Sequence, residues 1–210
     1  MLSILQAAGW PIIPLVLCSV VAMALIVERF LTLRAAKVAP SRLVDEVISV
    51  TRASLPTADT IQKLADNSVL GQVLAQGLQT AADGRISEER LRAGLEAAGR
   101  QAVHELERNL NALGTIASAA PLFGLLGTVI GMIEIFAASG GTTSGSGDPQ
   151  ALAHGISVAL YNTAFGLMVA IPSLMAHRHF RTKVDGFALQ MEQSADKLSQ
   201  HLLRLSAGRR

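Results

Sequence analysis

Three stretches of this 210-residue chain avoid charge for longer than a soluble helix would. Residues 1–27 carry none, and from Trp10 to Val27 the run is apolar apart from Ser19. Residues 109–133 are uncharged and lead to a lone Glu134; residues 149–176 are uncharged apart from any proton on His154. About 20 apolar residues at 1.5 Å rise cross about 30 Å of hydrocarbon, so each stretch can span a membrane, and the rest is too polar to do so. The expected fold class is all-α: an integral membrane protein with three transmembrane helices, two of them extending far into the cytoplasm as a helical bundle.

Helix breakers and caps divide the chain further. Pro11 and Pro14 suit a helix start, where missing amide donors cost least, and the first span runs out past Glu28 and Arg29. That pair is read as ordinary interfacial termination rather than as a partner contact. Residues 35–110 read as helices separated by Pro40, Pro56 and Gly84, with apolar periodicity in Leu43, Val44, Val47 and Ile48 and again in Val69, Leu70, Val73 and Leu74. Ser87 is a good cap, with Glu88 and Glu89 in the turn that follows. No proline follows Ser87 until Pro121, so one helix can run from 88 to 137. The third span continues past Arg178 through Phe187, Leu189, Met191, Leu198 and Leu202, which recur at helical spacing.

The resulting division is 1–34, the N-terminal periplasmic end and first span; 35–110, a cytoplasmic helical region; and 111–138, the second span. A periplasmic loop (139–150), the third span (151–177) and a cytoplasmic C-terminal helix (178–210) follow. The stretch 139–149 (SGGTTSGSGDP) is glycine-rich and lacks lysine, which excludes a phosphate-binding loop.

Composition agrees with a membrane protein: 50% hydrophobic, 16% charged, mean hydropathy +0.40. A net charge of +2 and pI near 9.0 could indicate nucleic acid, but that requires basic side chains clustered on one folded surface. Here topology clusters them. All 18 Lys and Arg lie in 29–108 or 178–210, which the positive-inside rule assigns to the cytoplasm, leaving the N-terminus outside. The first stretch lacks the basic start and small-residue cleavage site of a signal peptide. Cys18 is the only cysteine, so no internal disulfide or thiolate metal cluster forms, and it reads as a small apolar residue.

Enzyme chemistry finds little footing. Of His104, His154, His177, His179 and His201, only 177 and 179 are close, two residues apart and off a common helix face, as expected for interfacial snorkelling rather than a metal site. The second and third spans instead carry stripes of small residues. Pro121, Gly124, Thr128 and Gly131 fall at steps of three, four and three, with Gly127 and Gly131 forming a GxxxG; Gly155, Ala159, Asn162, Gly166, Ala170 and Ser173 make a similar stripe flanked by Thr163. Small residues let membrane helices pack closely. Thr128 and Thr163, at matching mid-membrane depth, could also solvate or relay a proton where few polar groups are tolerated, although a threonine commonly bonds only to its own helix.

The runs 120–132 (APLFGLLGTVIGM) and 155–172 (GISVALYNTAFGLMVAIP) resemble the ExbB/TolQ/MotA proton-channel family, nearest its ExbB branch. The resemblance implies a homopentamer in the bacterial inner membrane. Its subunits would surround the single transmembrane helices of two copies of an ExbD-like partner that carries a membrane aspartate. It further implies that proton flow is passed as work to a TonB-like energy transducer; no cofactor and no enzymatic activity are expected. Thr128 and Thr163 match the family's pore threonines. One position departs: the family's ExbB and TolQ members usually carry a glutamate three residues after the glycine that opens the third-span motif, and here it is Val158. Glu134, seven residues after Gly127, is the expected substitute for part of that role, the alternative being an interfacial residue that faces the outer vestibule, and the candidate proton pathway is Thr128, Thr163 and Glu134. A TolQ-like envelope-maintenance subunit, a MotA-like motility subunit and a non-conducting scaffold around partner helices are the alternatives.

Overall fold

A computed structural model describes residues 10–53, 56–82, 87–140 and 149–207, and among these there is no strand. The helices are α1 (Ile12–Thr32), α2 (Ala35–Val38), α3 (Leu43–Ala53), α4 (Ala58–Asn67), α5 (Val69–Ala82), α6 (Glu88–Gly140) and α7 (Pro149–Ala207). Three of them are long and apolar enough to cross a membrane: α1, α6 and α7. The chain divides into two compact units, one of Met1–Glu28 with Asn109–Arg178, the other of Arg29–Arg108 with His179–Arg210.

The first unit holds the apolar parts of α1, α6 and α7. Its core is Leu15, Ala120, Val169 and Ala170, with Cys18, Ile116, Phe123 and Phe165 packed against it, so Cys18 serves as a small apolar filler. Large apolar side chains point outward from all three helices: Ile13, Leu17 and Met23 from α1, Leu122 and Phe136 from α6, Met168 and Met175 from α7, each more than 60% exposed. In water such a surface would drive aggregation; in hydrocarbon it is the low-energy one. Asn109 Nδ2 donates to Glu28 Oε2 at 3.1 Å, so Glu28 ties the end of the α1 apolar run to α6 rather than simply ending a span.

The second unit is a helical bundle built from α2–α5 and the polar parts of α6 and α7. Ser68 starts α5 by accepting the Gly71 amide on its Oγ at 3.0 Å, satisfying a donor that a helix start would otherwise orphan. At the start of α6, the Ser87 carbonyl accepts the Leu91 amide at 3.0 Å. Leu70, Val73, Leu74 and Leu78 are buried from α5, and Leu91 and Leu95 from α6. The face α7 buries in this unit is Phe180, Val184, Met191, Leu198 and Leu202, whose steps of four and seven keep one side of the helix. Leu189 is 56% exposed: it lies about 160° round the helix from Met191. Arg29 is buried and donates from Nη1 to the Leu106 carbonyl at 3.0 Å, which corrects the expectation of a merely interfacial side chain. His179 lies beside Phe30 and Phe180, with ring centroids 6.3 and 5.6 Å away.

Candidate proton pathway

In the first unit α6 and α7 run antiparallel in close contact, and the contact is made by the residues that lack side chains. A Cβ on Gly124 would lie 2.8 Å from the Asn162 carbonyl oxygen and 3.0 Å from Thr163 Cα; one on Gly166 would lie 2.7 Å from the Ala120 carbonyl oxygen. At Gly124 and Gly166 backbone touches backbone, an approach that only glycine permits. Further outward, a Cβ on Gly131 would meet the Ala159 Cβ at an ordinary 3.4 Å, and Gly155 lies under the Ile135 side chain. Gly124, Gly127, Gly131, Gly155, Ala159 and Gly166 line this seam, and Ala170 packs with Ala120 and Leu15. Pro121 sits at the seam's edge, half-buried.

The seam fixes where the polar residues stand. At 100° per residue, Thr128 is about 70° round α6 from the line of Gly124, Gly127 and Gly131. Thr163 is about 70° round α7 from the line of Gly155, Ala159, Asn162 and Gly166. Because the helices are antiparallel and face each other, both turns lead to the same side of the pair. With Thr163 over Gly124, Thr128 stands roughly one helical turn outward. Thr128 Oγ1 donates to the Leu125 carbonyl at 2.7 Å, which keeps its hydroxyl satisfied in an apolar setting and leaves the oxygen free to accept.

Glu134 stands elsewhere. It lies on the opposite side of the seam from the threonines, about 120° from Thr128 around α6, and it is exposed. With Ala159 over Gly131, position 158 is level with about residue 132, so Glu134 is about 3 Å further outward. Position 158 is on that same side. The structure thus brings the two threonines together on one flank, and sets Glu134 on the other near the position where a glutamate would be expected.

Two side chains acquire a definition that the stripe did not give them. Asn162 is 2% exposed, wedged where a Gly127 Cβ would meet its Cβ, Cγ and Nδ2 at 2.8–2.9 Å. His177 Nδ1 is 2.9 Å from the Leu110 carbonyl, and its ring lies in the recess left by Gly114, 3.0–3.4 Å from where a Cβ would be. That docking replaces the snorkelling expected of His177. The available signal was Gly114, seven residues before Pro121 and fourteen before Thr128 on one face of α6. His154 lies outside the described side chains.

This site coincides with the part of the chain shared with known proteins. The family model for the MotA/TolQ/ExbB proton channel family matches residues 65–193. An ExbB-like biopolymer transport protein of Synechocystis sp. is 32% identical over 192 residues, 90% of this chain and 89% of that protein. The biopolymer transport protein ExbB of Helicobacter pylori is 46% identical over 81 residues, 39% of this chain and 54% of its own. The Tol-Pal system protein TolQ of Haemophilus influenzae is 34% identical over 107 residues, 51% of this chain and 46% of its own. A match to most of the chain, with its two motifs forming the seam, means that the protein belongs to the MotA/TolQ/ExbB proton channel family.

Proposed function

We propose that this chain is the multi-span subunit of an ExbB–ExbD-type motor in the bacterial inner membrane, using the proton motive force to energise TonB-dependent transport across the outer membrane. The observation that carries the reading is the placement of Thr128 and Thr163 on one flank of a seam too tight to admit anything between the helices. A polar flank in an otherwise apolar unit requires a partner, and a single-span helix with a membrane aspartate supplies one. The hydroxyls hydrate or relay the proton to and from that aspartate. One charge crossing 100 mV releases about 2.3 kcal/mol, a scale suited to repacking an interface. Glu134 takes over the role of the carboxylate absent at Val158, a reading supported by its side of the seam and its depth.

The N-terminus and the 139–150 loop are periplasmic in this proposal, and the C-terminus cytoplasmic, in accord with the distribution of Lys and Arg. Single cysteines at Ser87 and Ser144, in a Cys18→Ala background, test it in spheroplasts with a membrane-impermeant thiol reagent: labelling at 144 alone is expected, and labelling at 87 alone overturns the topology. A TolQ-like role is the second reading, favoured by the similarity to TolQ over 107 residues. Deleting the gene separates the two. Loss of gradient-driven uptake with an intact envelope supports the ExbB role; detergent sensitivity with normal uptake supports the TolQ role.

A further inference from the structure

We propose that His177 is the group of this chain that holds the proton at the inner end of the pathway and passes it to cytoplasmic water. This rests on the reading above, in which protons cross along Thr128 and Thr163.

The first observation is one of inventory. Within 109–133 and 155–177, the two stretches that form the seam, His177 is the only residue with an ionisable side chain other than Tyr161. Glu134 lies at the outer end and on the other flank. Histidine is the side chain whose ordinary titration falls in the physiological range, whereas threonine can only bridge water or relay.

The second observation is one of placement. The ring rests on Gly114, and Gly114, Pro121 and Thr128 follow at seven-residue steps, which keep within about 40° of one another around α6. The imidazole therefore lies at the inner end of the flank that carries Thr128. Ser118 stands one turn outward of Gly114 and is exposed, its hydroxyl donating to the Gly114 and Thr115 carbonyls at 3.1 and 3.0 Å. Both lone pairs of its oxygen remain available to accept from water.

The third observation settles which nitrogen works. A carbonyl oxygen can only accept, so the 2.9 Å contact to Leu110 requires Nδ1 to be the donor. The neutral ring then carries its lone pair on Nε2. A proton arriving as hydronium forms the Nε2–H bond as the hydronium's O–H bond breaks and leaves water behind, and the imidazolium later releases that same proton to a water on the inner side. Nδ1–H stays on the Leu110 carbonyl throughout, so the ring keeps its orientation in both states. Charged groups at this level of the unit are Glu28 on α1, whose carboxylate is held by Asn109, and Arg178, which follows on α7; α6 contributes none between 109 and 133. Arg29, Arg108 and His179 follow or precede these directly in the chain.

The test is proton flux through the complex purified from native membranes and reconstituted into liposomes under an imposed potential. His177→Asn keeps an amide donor where Nδ1 stood but cannot titrate. It should leave the assembly intact and lower flux at least about tenfold. His177→Ala should lower flux similarly, and imidazole on the inner side should restore it, since the vacated recess beside Gly114 admits the ring. With the wild type, flux should depend on inner pH, and that dependence should vanish in His177→Asn. Wild-type flux in His177→Asn, or a His177→Ala loss that imidazole leaves unrepaired alongside an unchanged pH profile, overturns the proposal. Thr163→Val in the same liposomes separates the two claims. If it conducts normally, the pathway reading fails. If it is blocked while the His177 variants conduct, only the role of His177 fails.

Discussion

Gly127 of α6 lies against Asn162 of α7, and a Cβ added to the glycine would sit 2.8 Å from the asparagine Cβ and 2.9 Å from its Cγ and Nδ2. An amide buried to 2% exposure in a membrane helix pair is there at some cost, and it acts as a pin: it fits only where the facing residue has no side chain. Since Thr163 is the next residue, the rotation that seats Asn162 also sets where the threonine stands.

The pin makes Gly127 and Asn162 a coupled pair. Gly127→Ala should lower the melting temperature of the purified oligomer, with an overpacking cost of about 1–3 kcal/mol. Asn162→Ala in the same chain should recover most of it, so the two effects should fail to add by at least about 0.5 kcal/mol. Gly131→Ala is the contrast, because its Cβ would meet Ala159 at an ordinary 3.4 Å and should be nearly neutral. Gly131→Leu should break the assembly. Strictly additive melting shifts for Gly127 and Asn162 would show that the seam adapts.

Thr128→Val and Thr163→Val should separate stability from work. The Thr128 hydroxyl bonds to its own helix at the Leu125 carbonyl, so the shape-matched exchange should change the melting temperature little. Gradient-driven uptake should nevertheless fall by at least about tenfold in both, because valine can neither donate nor accept, while Thr128→Ser retains it. Normal uptake in both valine variants, with the partner still bound, would favour the scaffold reading.

Glu134→Gln should reduce uptake if this carboxylate serves in place of the one absent at Val158. The sharper measurement is the double variant. Because position 158 lies on the same side of the seam and about 3 Å inward, Val158→Glu combined with Glu134→Gln should restore uptake. An unaffected Glu134→Gln variant would make Glu134 an ordinary interfacial residue.

His201, in the second unit, has its titration pushed below the usual 6.5 by burial first, then by the positive charges of Arg52 and Arg204. Its Nε2 is buried without a hydrogen-bond partner. Below pH 6.5 the unfolded chain takes up a proton that the folded unit resists, so stability is fully present above pH 6.5 and falls as pH drops. Thermal melts in detergent between pH 7 and pH 5 should show this slope, and His201→Phe should flatten it. An equal slope in both proteins would remove His201 as its cause.

The sequence by itself determined the three apolar helices, because charge-free runs of that extent have no other stable form in hydrocarbon. It also determined which faces pack: glycine spacing is a local property, and Gly124, Gly127 and Gly166 meet where their spacing indicates. It marked Thr128 and Thr163 for the same reason. What it left undecided was every relation that depends on how one helix is rotated against another. Antiparallel packing puts the two threonines on one flank and Glu134 on the other, and neither helix alone contains that information. Arg29 shows the same limit: as a charge after an apolar run it reads as the end of a span, yet the Leu106 carbonyl 77 residues away gives it a buried partner. In sequence His177 stands between the end of an apolar run and Arg178, in space it rests in a glycine recess, and only tertiary packing supplies the carbonyl that fixes which of its nitrogens is free.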